Sequence, residues 1–164
     1  MYKKTLLWFF IPLLVSCEIH AQTGSPSEKP EAKSKISQTL DRWHKAAADA
    51  DFKTYFDLLS DDAVFVGTDA SEVWDKQSFM KFAKPYFDKG KAWNFKKIKR
   101  NIYLSTDIKT AWFDETLNTW MGVCRGSGVL QKTGQTWQIK HYVLSLTVPN
   151  DKMKEVMSVI QNND

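Results

Sequence analysis

The hydrophobic period of this chain changes near Trp93 from mainly helical to a run of strands, and that change constrains the fold more than any other feature. Before it, Ile36, Leu40, Trp43, Ala47 and Ala50 recur at three- and four-residue intervals, which predicts an amphipathic helix that stops at Asp49-Ala50-Asp51. Phe52, Tyr55, Phe56 and Leu59 share the face of a second, short helix closed by Ser60-Asp61-Asp62, and Ala63 to Val66 then reads as a strand ending at Gly67. Asp75 is placed to cap a third helix running from Lys76 to about Asp88, with Phe79, Phe82, Ala83, Tyr86 and Phe87 on one face despite Pro85, and Gly90 ends it. After Trp93 come four long strand-like runs, 93–104, 109–119, 122–132 and 135–147, broken at Ser105-Thr106-Asp107, Met121-Gly122 and Thr133-Gly134. Helices followed by a meander predict an α+β domain in which three helices pack on a curved antiparallel sheet. Met153, Val156, Met157 and Ile160 return to helical spacing, so 151–164 reads as a helical tail.

The chain of 164 residues is 43% hydrophobic, enough for one core. Its 23 basic residues exceed the 19 acidic ones only slightly and are spread along the sequence, which gives no nucleic-acid signature. Of three His and two Cys, His20 and Cys17 fall in the N-terminal segment, and once that is removed too few remain for a three-His catalytic zinc or a cysteine-rich structural site, so neither a metal nor a cofactor is expected. Residues 1–17 read as a secretory signal peptide: Lys3 and Lys4 precede an apolar run, Thr5 to Ser16, too short to span a bilayer. Leu14-Val15-Ser16-Cys17 looks like a bacterial lipobox that would make Cys17 a lipidated first residue; ordinary cleavage after Ala21 is the alternative. The expected location is therefore the periplasm of a Gram-negative bacterium, free or membrane-anchored through lipid. Residues 18–35, rich in Pro, Ser and mixed charge, read as a flexible linker, with the domain at 36–150. Cys124 is then a lone thiol, expected to pack in the sheet.

Several segments carry a family resemblance. They are Trp43-His44, Tyr55-Phe56, the run Gly67-Thr68-Asp69-Ala70-Ser71-Glu72-Val73-Trp74, Pro85-Tyr86-Phe87, Ala111 to Glu115, Arg125 to Val129, and Trp137 through His141-Tyr142 to Asn150. In this order and spacing the chain resembles the SnoaL-like branch of the nuclear transport factor 2 superfamily, the cone-shaped α+β fold also used by ketosteroid isomerases. The resemblance implies a pocket at the mouth and interior of the cone, and a homodimer joined through the outer sheet face. It does not choose among isomerases, cyclases, dehydratases, binders and oligomerisation modules.

Candidate site residues follow from register and chemistry. A last hairpin centred on Thr133-Gly134 sets Gly126 opposite His141, and a turn at Trp120-Met121 sets Glu115 opposite Gly126. Glu115 and His141 would then flank a glycine on one sheet face, able to share a proton or hold a ligand. Arg125, beside Gly126 and Gly128, is the candidate for binding a carboxylate, or it pairs internally with Glu115 or Asp114. Asp69 is a candidate general base of the ketosteroid-isomerase kind, or an architectural residue capping backbone NH groups near Ser71. Glu72, Trp43 and Trp74 are candidate pocket residues, and two or three of the domain's six tryptophans would suit a flat apolar ligand. His44, a single helical histidine, is expected to be packed or solvated, and Lys96, Lys97, Lys99 and Arg100 to lie on a solvated, edge-like strand. Three functions fit: a binder of a small, partly apolar ligand oriented by Arg125, Glu115 and His141; a cofactor-independent isomerase, cyclase or dehydratase using Asp69 or His141; or a homo-oligomerisation module.

Overall fold

The stripe of apolar residues on the first helix sets the core, and the other elements close around it. The computed structural model describes Ser25 and residues 27–161; the expected signal segment and Cys17 lie outside these residues. Helix α1 spans Glu28–Ala48 and buries Ile36, Leu40, Trp43 and Ala47 as their spacing predicts. It begins eight residues before Ile36, so the expected linker is helical from Glu28 onward. The physical reason is local: Glu28 and Glu31 favour the positive end of the helix dipole, Glu31 pairs with Lys35 one turn on, and Ala32 is buried. Ala50 ends the helix with φ 55°, a left-handed conformation in a non-glycine residue.

Helix α2 (Phe52–Asp57) starts where the Asp51 carboxylate accepts the Thr54 N–H. Strand β1 then runs Leu59–Val66, so Ser60, Asp61 and Asp62 belong to a strand instead of closing a helix. A three-residue strand, β2 (Val73–Asp75), pairs antiparallel with β1, and Asp75 caps α3 (Lys76–Asp88) by accepting from the Ser78 N–H at 2.7 Å. Strands β3 (Lys96–Leu104), β4 (Thr110–Thr119), β5 (Gly122–Thr133) and β6 (Thr136–Leu146) form the expected meander. A short turn at Asn150–Lys152 leads to α4 (Met153–Gln161), the expected tail helix.

All six strands form one sheet in the order β2-β1-β6-β5-β4-β3. The expectation of a purely antiparallel sheet is corrected here: β1 pairs parallel with β6, setting Val64 beside His141 and Phe65 beside Tyr142. A strand followed by a helix and a returning meander reaches the far side of the sheet running in its original direction, which the linear order of turns does not reveal. Helix α1 lies against β3 and β6, and α3 against β1 and β2, so the inner sheet face is covered by helices.

Candidate functional site

Two features occupy the space between helices and sheet: a buried polar cluster deep in the fold and an aromatic cavity nearer its edge. Glu115 on β4 is the centre of the cluster. The turn at Trp120-Met121 places it opposite Gly126 as the sequence predicts, on the inward face, at 1% exposure. His44 Nε2 lies 2.7 Å from Glu115 Oε1. From the neighbouring strand, Arg100 Nε donates to Oε2 at 2.8 Å, while its Nη1 donates to Asp41 Oδ1 at 2.7 Å and to the Ser37 carbonyl at 3.0 Å. The Tyr142 hydroxyl donates to Oε1 at 3.4 Å. Gly126 makes this approach possible, because a Cβ there would stand 2.3 Å from the Tyr142 oxygen.

Burial alone would push the Glu115 carboxyl up, but the hydrogen bond and charge of His44 and the charge of Arg100 outweigh it and hold the group below its ordinary value. Burial, reinforced by the Glu115 charge, pushes the Tyr142 phenol well above its ordinary value. The cluster is thus a carboxylate satisfied on both oxygens, with His44 reaching solvent only at its rim. That rim is a groove shared with Asp41, Lys45, Asn94, Phe95 and Lys97.

The second feature is an open cavity of about 120 Å³ lined by Phe65, Trp74, Phe79, Phe82, Trp93, Phe95 and Trp120, with Gly67, Thr68, Glu72 and Leu144. Its rings are organised: Phe65 on Phe79, Phe79 on Trp74 and Trp74 on Phe82 stack at 4.0, 5.6 and 4.6 Å with planes within 23°. The sequence places them there because β1 points Phe65 inward, β2 carries Trp74, and α3 presents Phe79 and Phe82 on successive turns. Phe95 lines both the cavity and the His44 groove.

The structure distributes the anticipated site residues unevenly. Glu72 and Trp74 line the aromatic cavity. Trp43 is core, stacked on Tyr55 at 4.9 Å and set edge-on to Tyr142 at 4.7 Å. Arg125 projects from the outer sheet face, exposed, and the guanidinium beside Glu115 is that of Arg100, whose side chain is only 3% exposed. Arg100 is therefore no solvated edge residue, although Lys96, Lys97 and Lys99 are exposed.

His141 is also on the outer face, paired with Val129 instead of Gly126. Two events moved it. The hairpin turns at Gly134-Gln135, with Gly134 at φ 61°, which shifts the partner by two residues and preserves the face. A bulge at Lys140 between the Leu130–Ile139 and Val129–His141 pairs then adds one residue, turning His141 outward and Tyr142 inward. Asp69 is exposed and accepts from the Ser71 N–H at 2.8 Å and from its hydroxyl; those bonds hold its carboxyl below the ordinary value, the wrong direction for a general base.

The arrangement has counterparts among known proteins. A family model described as a SnoaL-like domain matches residues 36–149. An NTF2-like protein from Pseudomonas putida superposes with a TM-score of 0.62 at 16% identity, covering 75% of this chain and 92% of that one. A candidate dehydratase of the NTF2-like family from Streptomyces avermitilis gives 0.62 at 13% identity, with 73% and 99% covered. A candidate aromatic ring hydroxylase from Novosphingobium aromaticivorans gives 0.62 at 14%, with 73% and 92% covered. At such identities the likeness is one of fold. Among curated proteins nothing matches this chain.

Proposed function

The chain belongs to the SnoaL-like domain family, and from that premise we propose that it binds a small, partly apolar molecule in the aromatic cavity beside Trp74. The fold is compatible with ligand binding and with isomerase or dehydratase activity alike, so the choice rests on the cavity itself. One observation carries it: seven aromatic side chains line an open concavity where a core would have filled the space. Phe65 and Phe79 are buried, Trp74, Trp93 and Phe95 are half-buried, and Phe82 and Trp120 are exposed, so part of this aromatic surface stays within reach of a ligand. A flat apolar body fits between such rings, with its polar end beside Thr68 and Glu72. Orientation by Arg125 and His141 forms no part of this reading, because both stand on the opposite side of the sheet.

Native mass spectrometry of protein isolated from its own host tests the proposal. A retained small molecule that is lost in a Trp74→Ala variant is the expected result; a wild-type protein that neither retains one nor quenches its tryptophan fluorescence with any aromatic probe would refute it.

A second reading is favoured by the His44–Glu115 pair. A histidine oriented by a buried carboxylate suits proton transfer, and the groove beside it is open. If the protein is a cofactor-independent isomerase or dehydratase, proton transfer runs through His44, and deuterium exchange into a bound carbonyl compound disappears in His44→Gln while binding persists.

We further propose a homodimer joined through the outer sheet face, where Trp112 stacks on Tyr103 at 5.9 Å and both are exposed. Export, with Cys17 carrying a lipid, is proposed from the sequence; blocking lipidation with Cys17→Ala should release the protein from the membrane fraction.

A further inference from the structure

The lining of the aromatic cavity carries charge of one sign. Glu72 is the one charged side chain among the described residues that line it; no Lys, Arg or His contributes. The chain as a whole has a formal charge of +4, so an acidic cavity is not a reflection of its general surface. The Glu72 carboxylate is also positioned. It lies over Gly67, where a Cβ would come within 2.1 Å of Oε2, and it accepts from the Asp69 N–H at 3.3 Å. The backbone of the loop holds the same residue at both ends: the Gly67 N–H donates to the Glu72 carbonyl at 2.8 Å and the Glu72 N–H to the Asp69 carbonyl at 3.0 Å. Trp74, Trp93, Trp120 and Phe82 line the same cavity.

Aromatic faces carry negative potential and attract cations, most strongly at tryptophan, and the attraction grows as the cation sheds water. An anion gains nothing from these rings and is repelled by Glu72. A neutral ligand uses the rings but leaves the carboxylate without a counter-charge. Building on the reading of the cavity as a ligand site, we propose that its ligand is an organic ammonium ion, quaternary or protonated tertiary, with a small apolar or aromatic body. Its head sits between Glu72 and the tryptophan faces, and its body rests against Phe65 and Phe79. Loop positioning of the carboxylate means that this selectivity exists before binding.

The test compares phenyltrimethylammonium with tert-butylbenzene, which has the same shape and no charge, by tryptophan-fluorescence titration of the purified protein. The cation should bind about tenfold more tightly than its neutral counterpart. In Glu72→Gln, which retains the carbonyl that accepts from Asp69, that advantage should fall to about twofold while the affinity of tert-butylbenzene stays unchanged. Trp120→Ala removes a ring that is 83% exposed and so leaves the core intact; it should weaken the cation more than the hydrocarbon. Equal affinity for the two probes, or a cation preference that survives Glu72→Gln, overturns the charge assignment and leaves the cavity reading standing. Failure of both probes to bind overturns the two together.

Discussion

Glu115 accepts from three neighbours inside the fold, so its contribution is set by what is stranded when it goes. Glu115→Gln keeps the volume and leaves the Arg100 guanidinium buried with Asp41 alone, a loss of about 3 kcal/mol in urea unfolding. The pH dependence has a definite sign. Because the folded protein holds this carboxyl below its ordinary value of 4.5, the stabilisation is complete above that pH and disappears as pH falls through the lower, folded value. The stability gap between wild type and Glu115→Gln, followed from pH 7 downward, should therefore stay constant to about pH 5 and close in acid. Gly126→Ala sets a methyl 2.3 Å from the Tyr142 hydroxyl and should cost about 1–3 kcal/mol, part of which Tyr142→Phe recovers in the double variant. Some of this cluster was legible beforehand. The Glu115–Gly126 pair followed from one turn, and His44 continues the Ile36–Leu40 row at a spacing of four, which accords with its packing inside the fold, but that row does not reveal its carboxylate partner. Arg100 required the β3–β4 register, which a bulge at Ile98 disturbs.

Among the elements, α3 carries an evident local penalty. Pro85 lies inside it, lacks an N–H for the carbonyl one turn back, and is exposed. Pro85→Ala should raise the unfolding free energy by about 1–3 kcal/mol, measured by thermal and urea denaturation, with no change at the aromatic cavity. Helix α3 itself was predictable to its end residues because a capping Asp, four aromatic positions with Ala83 on the same face, and a terminating glycine all agree. The start of α1 was not, since Pro, Ser and charge suggest a linker by composition and mask the local signal of an acidic first turn, whereas the burial of Ala32 acts only once the hairpin is present to pack against. The same holds for the last hairpin: sequence located its turn within one residue, but no side chain announces the bulge at Lys140, which is secured from outside by an ion pair with Asp62. One extra residue on one strand exchanged His141 for Tyr142 and so altered the chemistry available inside.

Across the whole molecule, the two sheet faces have separate tasks. The inner face is committed to core, polar cluster and cavity, while the outer face presents Arg125, His141, Tyr103 and Trp112. The proposed dimer predicts twice the monomer mass in sedimentation at micromolar concentration, and Trp112→Glu, at a position that does not line the aromatic cavity, should shift it to monomer without altering ligand-induced fluorescence changes. The fold class and the order of the elements were readable because the hydrophobic period changes clearly near Trp93; the neighbour of β1 was not, since its partner arrives from the other end of the domain.

That parallel union of β1 with β6 also governs the order of assembly. The strand that ties the first half of the domain to the second is the last to be synthesised, so nothing upstream can complete its hydrogen bonding until then. Such long loop closure slows folding and leaves the nascent polypeptide open while it is being made. Under the proposed export, that delay would give the chain time to pass a translocation channel before it condenses.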